Sequence, residues 1–252
     1  MSIADDPAVA PDPAAGEPPA SAGGGAGPRS RWLSTGQVIV LVAAVAFLVG
    51  AIAYVVGDRA GSADPLNDSD VGFMQDMGYH HEQAVQMALL LLDKDGIDPN
   101  LRSFATEVLV GQRYEQGIFS ATLDRFGHSS EPGETVMGWM GESMPIEEMP
   151  GLATEAEMDE LAAATGEEAE ALWIAMMSEH HLAGLHMADH AARHGADETT
   201  VNLANAIVKN QRSEVIDYAR YRTANDLPIP EGFTDPTEDQ RLDPLSFRDP
   251  TD

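Results

Sequence analysis

The chain has 252 residues, enough for one or two domains, and its 43% apolar content can fill an ordinary core. A formal charge of -28 excludes nucleic acid as a partner, because a phosphate backbone would repel such a surface; it equally disfavours an anionic lipid face and concentrates cations nearby. Cysteine is absent, which removes disulfides, thiolate metal ligands, cysteine nucleophiles and a lipidated N-terminal cysteine.

Residues 1–35 are rich in Pro, Ala, Gly and Ser without periodicity and read as a disordered cytoplasmic tail. Residues 36–57 read as a transmembrane signal anchor. Within them, 38–56 is an uncharged apolar run of 19 residues, long enough to cross the hydrocarbon core. Arg29 and Arg31 precede it, while Asp58 and Arg59 cancel after it, so the positive-inside rule puts the N-terminus in the cytoplasm. The protein is then a single-pass protein of the cell membrane with its C-terminal domain extracytoplasmic. The alternative is a cleaved signal peptide, since Ala51-Ile52-Ala53 has the small-x-small form. An uncleaved anchor is preferred because the preceding region is long and the apolar run continues past that triplet. Setting aside the four acidic residues (Asp5, Asp6, Asp12, Glu17) and two arginines before Asp58 leaves 38 acidic against 12 basic residues outside.

After a linker at 58–68, the pattern is helical. Aromatic residues are only 6%, and Ala, Leu and Met abound. Ser69 or Asp70 is the expected cap of a helix that stops at Asp93-Lys94-Asp95-Gly96. Asp98-Pro99 opens a second helix reaching about Phe126. A Met-rich crossover spans 127–166 and holds a short helix capped by Thr154 and Glu157. A long helix follows from about Glu167 to Gly195, and Asp197 caps the last, which runs to about Arg222. Residues 225–252 are Pro- and Asp-rich and read as a disordered acidic tail. The fold class expected is all-α: an antiparallel four-helix bundle over 69–224, preceded by one transmembrane helix.

The bundle is a duplication. Sliding the chain by 100 residues lays Met77, His80, His81, Met87 and Ala88 on Met177, His180, His181, Met187 and Ala188. Phe73 falls on Trp173 and Ala84 on Gly184. At an offset of 99, Gln112-Arg113-x-Glu115 falls on Gln211-Arg212-x-Glu214. The hairpin repeats are 69–126 and 167–224. At about 100° per residue the His pairs lie in the apolar stripe of the first and third long helices, with Met77, Met87, Met177 and Met187. Glu115 and Glu214 lie in the stripes of the second and fourth. Imidazoles and carboxylates in apolar stripes are costly unless paired or ligated, so they should converge. Two readings stay open: a structural network of His–Glu hydrogen bonds, or a metal site, since imidazole and carboxylate suit Zn, Cu, Fe or Ni.

The strings FMQDMGYHHEQAVQMA and WIAMMSEHHLAGLHMA, with Met149-Pro150-Gly151 before the second, resemble the domain of unknown function 305 family. The resemblance covers about 70–224. It implies a ferritin-like four-helix bundle, usually exported, a few members being Met- and His-rich periplasmic copper binders. By the same resemblance His80, His81, Met77, Met87, His180, His181, Met177 and Met187 carry over as site residues. The chain departs from the family at Phe119 and Tyr218, where a Met often follows the Glu, and at Leu152 in the linker.

Two further clusters have bland alternatives. Met137, Met140, Met144, Met149 and Trp139 either offer soft thioethers for Cu(I) or fill gaps where the crossover packs, the preferred reading. His186, His190 and His194, spaced i, i+4, i+8, form either a surface metal row or a solvated face near a helix C-terminus, again preferred. Nucleotide loops, a nucleophile elbow and HExxH are missing. A di-iron oxidase needs about four carboxylates and Glu-x-x-His on two helices; only Glu115, Glu214 and Asp76 face inward, so no enzyme activity is expected. The expected function is metal binding through His80, His81, His180, His181, Glu115, Glu214 and the four methionines. Copper comes first and zinc second, for storage, buffering or delivery. The alternative is a non-catalytic envelope scaffold with a structural His/Glu network. The partners expected are a metal ion, the membrane through one helix, and an envelope protein or a second copy.

Overall fold

The computed structural model describes residues 65–242 and the helical residues 45–47 and 49–50. The chain divides into two units, Met1–Tyr54 and Val55–Asp252. In the first, Val45, Phe47 and Val49 are exposed. The rest of the apolar run at 38–56, the tail expected at 1–35 and the linker up to residue 64 lie outside the described residues. No helix among the described residues is long and apolar enough to cross a membrane.

The second unit is mostly helical. Helix α1, Asp68–Leu92, starts at Asn67, whose side chain accepts the Asp70 N–H while the Asp70 carboxylate accepts the Asn67 N–H. The cap therefore precedes the expected Ser69 or Asp70. Asp70 works better inside the first turn, where its carboxylate meets both the cap and the helix dipole. Helix α2, Pro99–Phe126, begins after Asp98, which accepts the Asn100 N–H, and ends at Gly127 with φ 82°, a left-handed cap suited to glycine.

The crossover contains a feature absent from the all-α expectation: a two-residue antiparallel ladder, β1 (Thr135–Val136) on β2 (Met144–Pro145). It is anchored from below by Asp76, which accepts the Met137 N–H at 2.7 Å and the Trp139 Nε1–H at 2.8 Å. Helix α3, Glu155–Ala163, carries the Thr154/Glu157 capping box. Helices α4, Gly166–His194, and α5, Glu198–Ala224, form the second hairpin, with Asp197 capping α5. The two hairpins meet mainly along α1 and α4.

The apolar core falls into two clusters. One holds Met87, Leu91, Leu101, Val108, Trp173 and Met177; the other holds Phe73, Met77, Phe119, Leu123, Leu185 and Met187. Both are built from all four long helices, and the stretches that separate them carry His80, His81, His180 and His181.

The reading of 225–252 as a disordered tail fails for its first part. Leu227 is buried in one cluster and Leu242 in the other, Pro236 is buried, and Phe233 packs on the core. Arg222 holds Asp235 at 2.6 Å. These apolar residues are too widely spaced to show a period, so the composition hides a strap that docks through side chains, with only two 3-10 turns, Pro236–Glu238 and Gln240–Leu242, as regular structure. Residues 243–252 lie outside the described residues.

Candidate metal centre

Met77 shares a cluster with Met187, and Met87 with Met177, so α1 and α4 run in opposite directions and their His-His pairs meet at mid-height. All four histidines are fully buried. His80 and His180 stack, ring centroids 3.7 Å apart and planes 22° from parallel. The outer members turn to the flanking helices: His81 Nε2 lies 2.7 Å from Glu115 Oε2, and His181 Nε2 lies 2.7 Å from Glu214 Oε2. The two bonds are equivalent under the duplication. The carboxylates themselves are not fully buried, their side chains being 12% and 27% exposed. They form the rim of the layer rather than its centre.

The crossover closes the layer from one side. His180 Nδ1 lies 3.0 Å from the Gly151 carbonyl oxygen. Gly151 has φ +81°, and a Cβ there would fall 2.5 Å from the Ala183 Cβ and 3.1 Å from His80 Nε2. Only glycine lets the backbone descend this far onto the rings. A surface groove of about 550 Å³ lies between α1 and α2, lined by Tyr79, Glu82, Arg113 and Gln116, and includes none of the histidines.

A carbonyl oxygen can only accept, so His180 carries its proton on Nδ1 and presents a bare lone pair at Nε2. The same logic at the carboxylates puts protons on Nε2 of His81 and His181, which in the neutral ring leaves the lone pair on Nδ1. None of these three nitrogens has a hydrogen-bond partner, and neither nitrogen of His80 has one of good geometry, the Pro150 backbone making only a weak contact. Buried and equally unpartnered are Gln112 Oε1, both polar atoms of the Gln211 amide, the Tyr218 hydroxyl and Trp173 Nε1. Gln211 occupies space left by Gly184, where a Cβ would come within 2.3 Å of its Oε1. The sequence shows Gln112 and Gln211 as polar residues in apolar stripes three positions before each Glu, a signal that they belong to the same layer.

Electrostatics keep the centre neutral. Burial, then the neighbouring histidines, hold His80 and His180 well below the ordinary imidazole value; for His80 the Pro150 carbonyl opposes weakly. Burial pushes Glu214 up, but the hydrogen bond from His181 and the nearness of the His181 and His81 imidazoles outweigh it and hold the carboxyl below its usual range. Burial, then Glu214, raises the Tyr218 phenol well above its usual value.

An imidazole that gives one N–H to a fixed oxygen and keeps the other nitrogen free is the form in which histidine ligates metals, and His81, His180 and His181 have that arrangement. The donor set therefore fits a borderline or soft metal. Among the described residues, however, no three His, Asp or Glu side chains are gathered in metal-holding geometry. Met77, Met87, Met177 and Met187 are buried and flank the layer, one pair in each apolar cluster. The crossover methionines pack: Met137 and Met149 are buried, and Met140 and Met144 lie against the core.

The family model "Domain of unknown function (DUF305)" matches residues 70–221. The chain belongs to the DUF305 family. Among DUF305 structures, that of a protein from Streptomyces coelicolor, predicted to be secreted, is 30% identical, with 67% of this chain and 99% of that one covered and a TM-score of 0.59. A DUF305 fragment from Deinococcus radiodurans is 28% identical over 64% of this chain and 99% of that one, TM-score 0.54. CopM in its Cu(I)-bound form is 21% identical over 62% and 96%, TM-score 0.47, too distant to carry an argument about ligands. Comparison with curated proteins returns no match.

Proposed function

We propose that this DUF305 protein is an extracytoplasmic copper-binding protein, held to the cell membrane by residues 38–56. It stores, buffers or delivers the ion and turns over no substrate. The observation that carries the reading is the set of buried, unpartnered imidazole nitrogens at His81 Nδ1, His180 Nε2 and His181 Nδ1, with His80 stacked on His180. Unpaired polar atoms in a core cost about 1–3 kcal/mol each, and a metal ion would use several at once. Copper ranks before zinc because four thioethers flank the imidazoles, and soft thioethers select Cu(I). Support for the extracytoplasmic placement comes from Arg29 and Arg31 before the apolar run and from the Streptomyces relative predicted to be secreted.

A second reading is a non-catalytic envelope scaffold with a structural His/Glu network. The two 2.7 Å His–Glu bonds favour it, since each occupies the carboxylate without any ligand. The test is metal content of the purified full chain and the melting shift on adding Cu(I), Cu(II) or Zn(II). An ion at about 100 times its dissociation constant adds roughly 2.7 kcal/mol. His81→Ala with His181→Ala should abolish the part of that increment that the buried layer supplies and leave helical content in place. Lowered stability that is the same with and without metal would leave the scaffold reading standing.

A further inference from the structure

The third histidine row lies apart from the buried layer, on the outer face of α4 beneath the crossover. His190 and His194 stack with ring centroids 4.0 Å apart and planes 24° from parallel. His194 Nδ1 lies 2.9 Å from the His190 carbonyl oxygen, so Nδ1 is the donor and Nε2 is left outside that bond. One turn earlier, His186 Nε2 lies 3.4 Å from Glu142 Oε1, a carboxylate that the crossover carries across to α4. Both are about half exposed, at 50% and 48% of their side chains. Trp139, fixed by Asp76, meets the His190 ring edge-on at 5.3 Å.

We propose that the row His186, His190 and His194 offers a two-histidine surface site, His190 with one neighbour, for one divalent cation of borderline softness, such as Cu(II) or Zn(II). His190 is the ligand common to either neighbouring pair. Histidines one turn apart on a helix face chelate a single ion, the arrangement that metalloprotease helices use. The outer rings are about 12 Å apart along the axis, at 1.5 Å per residue, so one ion takes His190 with one neighbour. Glu142 supplies the carboxylate beside His186.

The competing explanation is a cationic row that complements the helix C-terminus. Two observations oppose it. Arg193 already serves that end and is held by Asp189 at 2.8 Å. The His190 and His194 rings stack with centroids 4.0 Å apart, a contact that two charged imidazolium rings would oppose. The net charge of -28 further concentrates divalent cations at the surface.

The site stands independently of the buried layer, and its test separates the two. The full chain is titrated with a Cu(II) salt, reading bound equivalents by calorimetry, nitrogen hyperfine splitting by electron paramagnetic resonance, and quenching of Trp139 fluorescence. One equivalent should bind with imidazole splitting and quench Trp139, and Trp139→Phe should remove that quench. His190→Gln should remove this equivalent, and His186→Ala or His194→Ala should weaken it at least tenfold for whichever pair holds the ion. The His81→Ala/His181→Ala chain should keep it, whatever becomes of the buried layer. An unchanged number of equivalents in His190→Gln, or a wild-type chain that binds Cu(II) without quenching Trp139, would overturn the proposal.

Discussion

His80 and His180 face each other as uncharged rings, and that fixes how the metal-free protein responds to acid. Their folded values lie well below the ordinary 6.5, so below about pH 6.5 the unfolded chain takes up protons that the folded layer refuses. The unfolded state then binds more protons, and stability falls as pH drops; above 6.5 both states are neutral and the contribution is constant. Glu214 acts in the same direction further down, because its lowered carboxyl gives stability above about 4.5 that is lost as pH falls through the folded value. Thermal melts followed by circular dichroism should therefore be flat near neutral pH and decline from about 6.5 downward. His80→Gln with His180→Gln should flatten the upper part of that decline and leave the lower part. A wild-type midpoint that rises on acidification would contradict the neutral layer.

Among the elements, the ends of α1 and α4 carry two buried carboxylates that answer each other. Asp70, fully buried at the start of α1, accepts the N–H groups of Ala196 and Asp197 in the α4–α5 turn. Glu170, one hundred residues on at the start of α4, accepts the Asp98 N–H in the α1–α2 turn at 2.8 Å and the Tyr221 hydroxyl at 3.1 Å. Each helix start thus completes the other hairpin's turn. Asp70→Ala should cost about 3 kcal/mol in chemical denaturation, because several amides lose a charged acceptor at once. Hydrogen exchange should quicken at Ala196 and Asp197 and stay unchanged at the Asp98 turn. The His–Glu pairing was legible beforehand, since polar residues recurring in apolar stripes mark a buried layer. So were the Asp98-Pro99 start and the Thr154/Glu157 box, whose partners are local. Asp70 and Glu170 were not, because their acceptors' partners arrive only when the hairpins dock. Asn67 escaped notice because Ser69 and Asp70 are equally good capping residues, and the descent of Gly151 onto His80 is set by packing no local pattern encodes.

For the molecule as a whole, the strap after α5 ties the two apolar clusters together. A chain ending at Ala224 would lose Leu227, Phe233 and Leu242 from the surface they cover. Burying such a side chain contributes about 1.5–3 kcal/mol, so the truncated protein should melt well below the full chain and bind a hydrophobic dye. An unchanged melting point would mean the strap adds nothing. If residues 38–56 are an uncleaved anchor, the protein should stay with membranes through alkaline extraction, and protease added to intact protoplasts should digest the domain after Asp58; a soluble form beginning near Tyr54 would show cleavage instead. The reciprocal carboxylates have a consequence for ancestry and engineering. When residue i of one half holds the turn of the other, and its counterpart does the same in return, the contact is isologous, the relation between subunits of a two-fold homodimer. A single hairpin can thus supply the turn contact that its twin needs, and the two halves made as separate polypeptides, one of them carrying the crossover and strap, have the means to find each other.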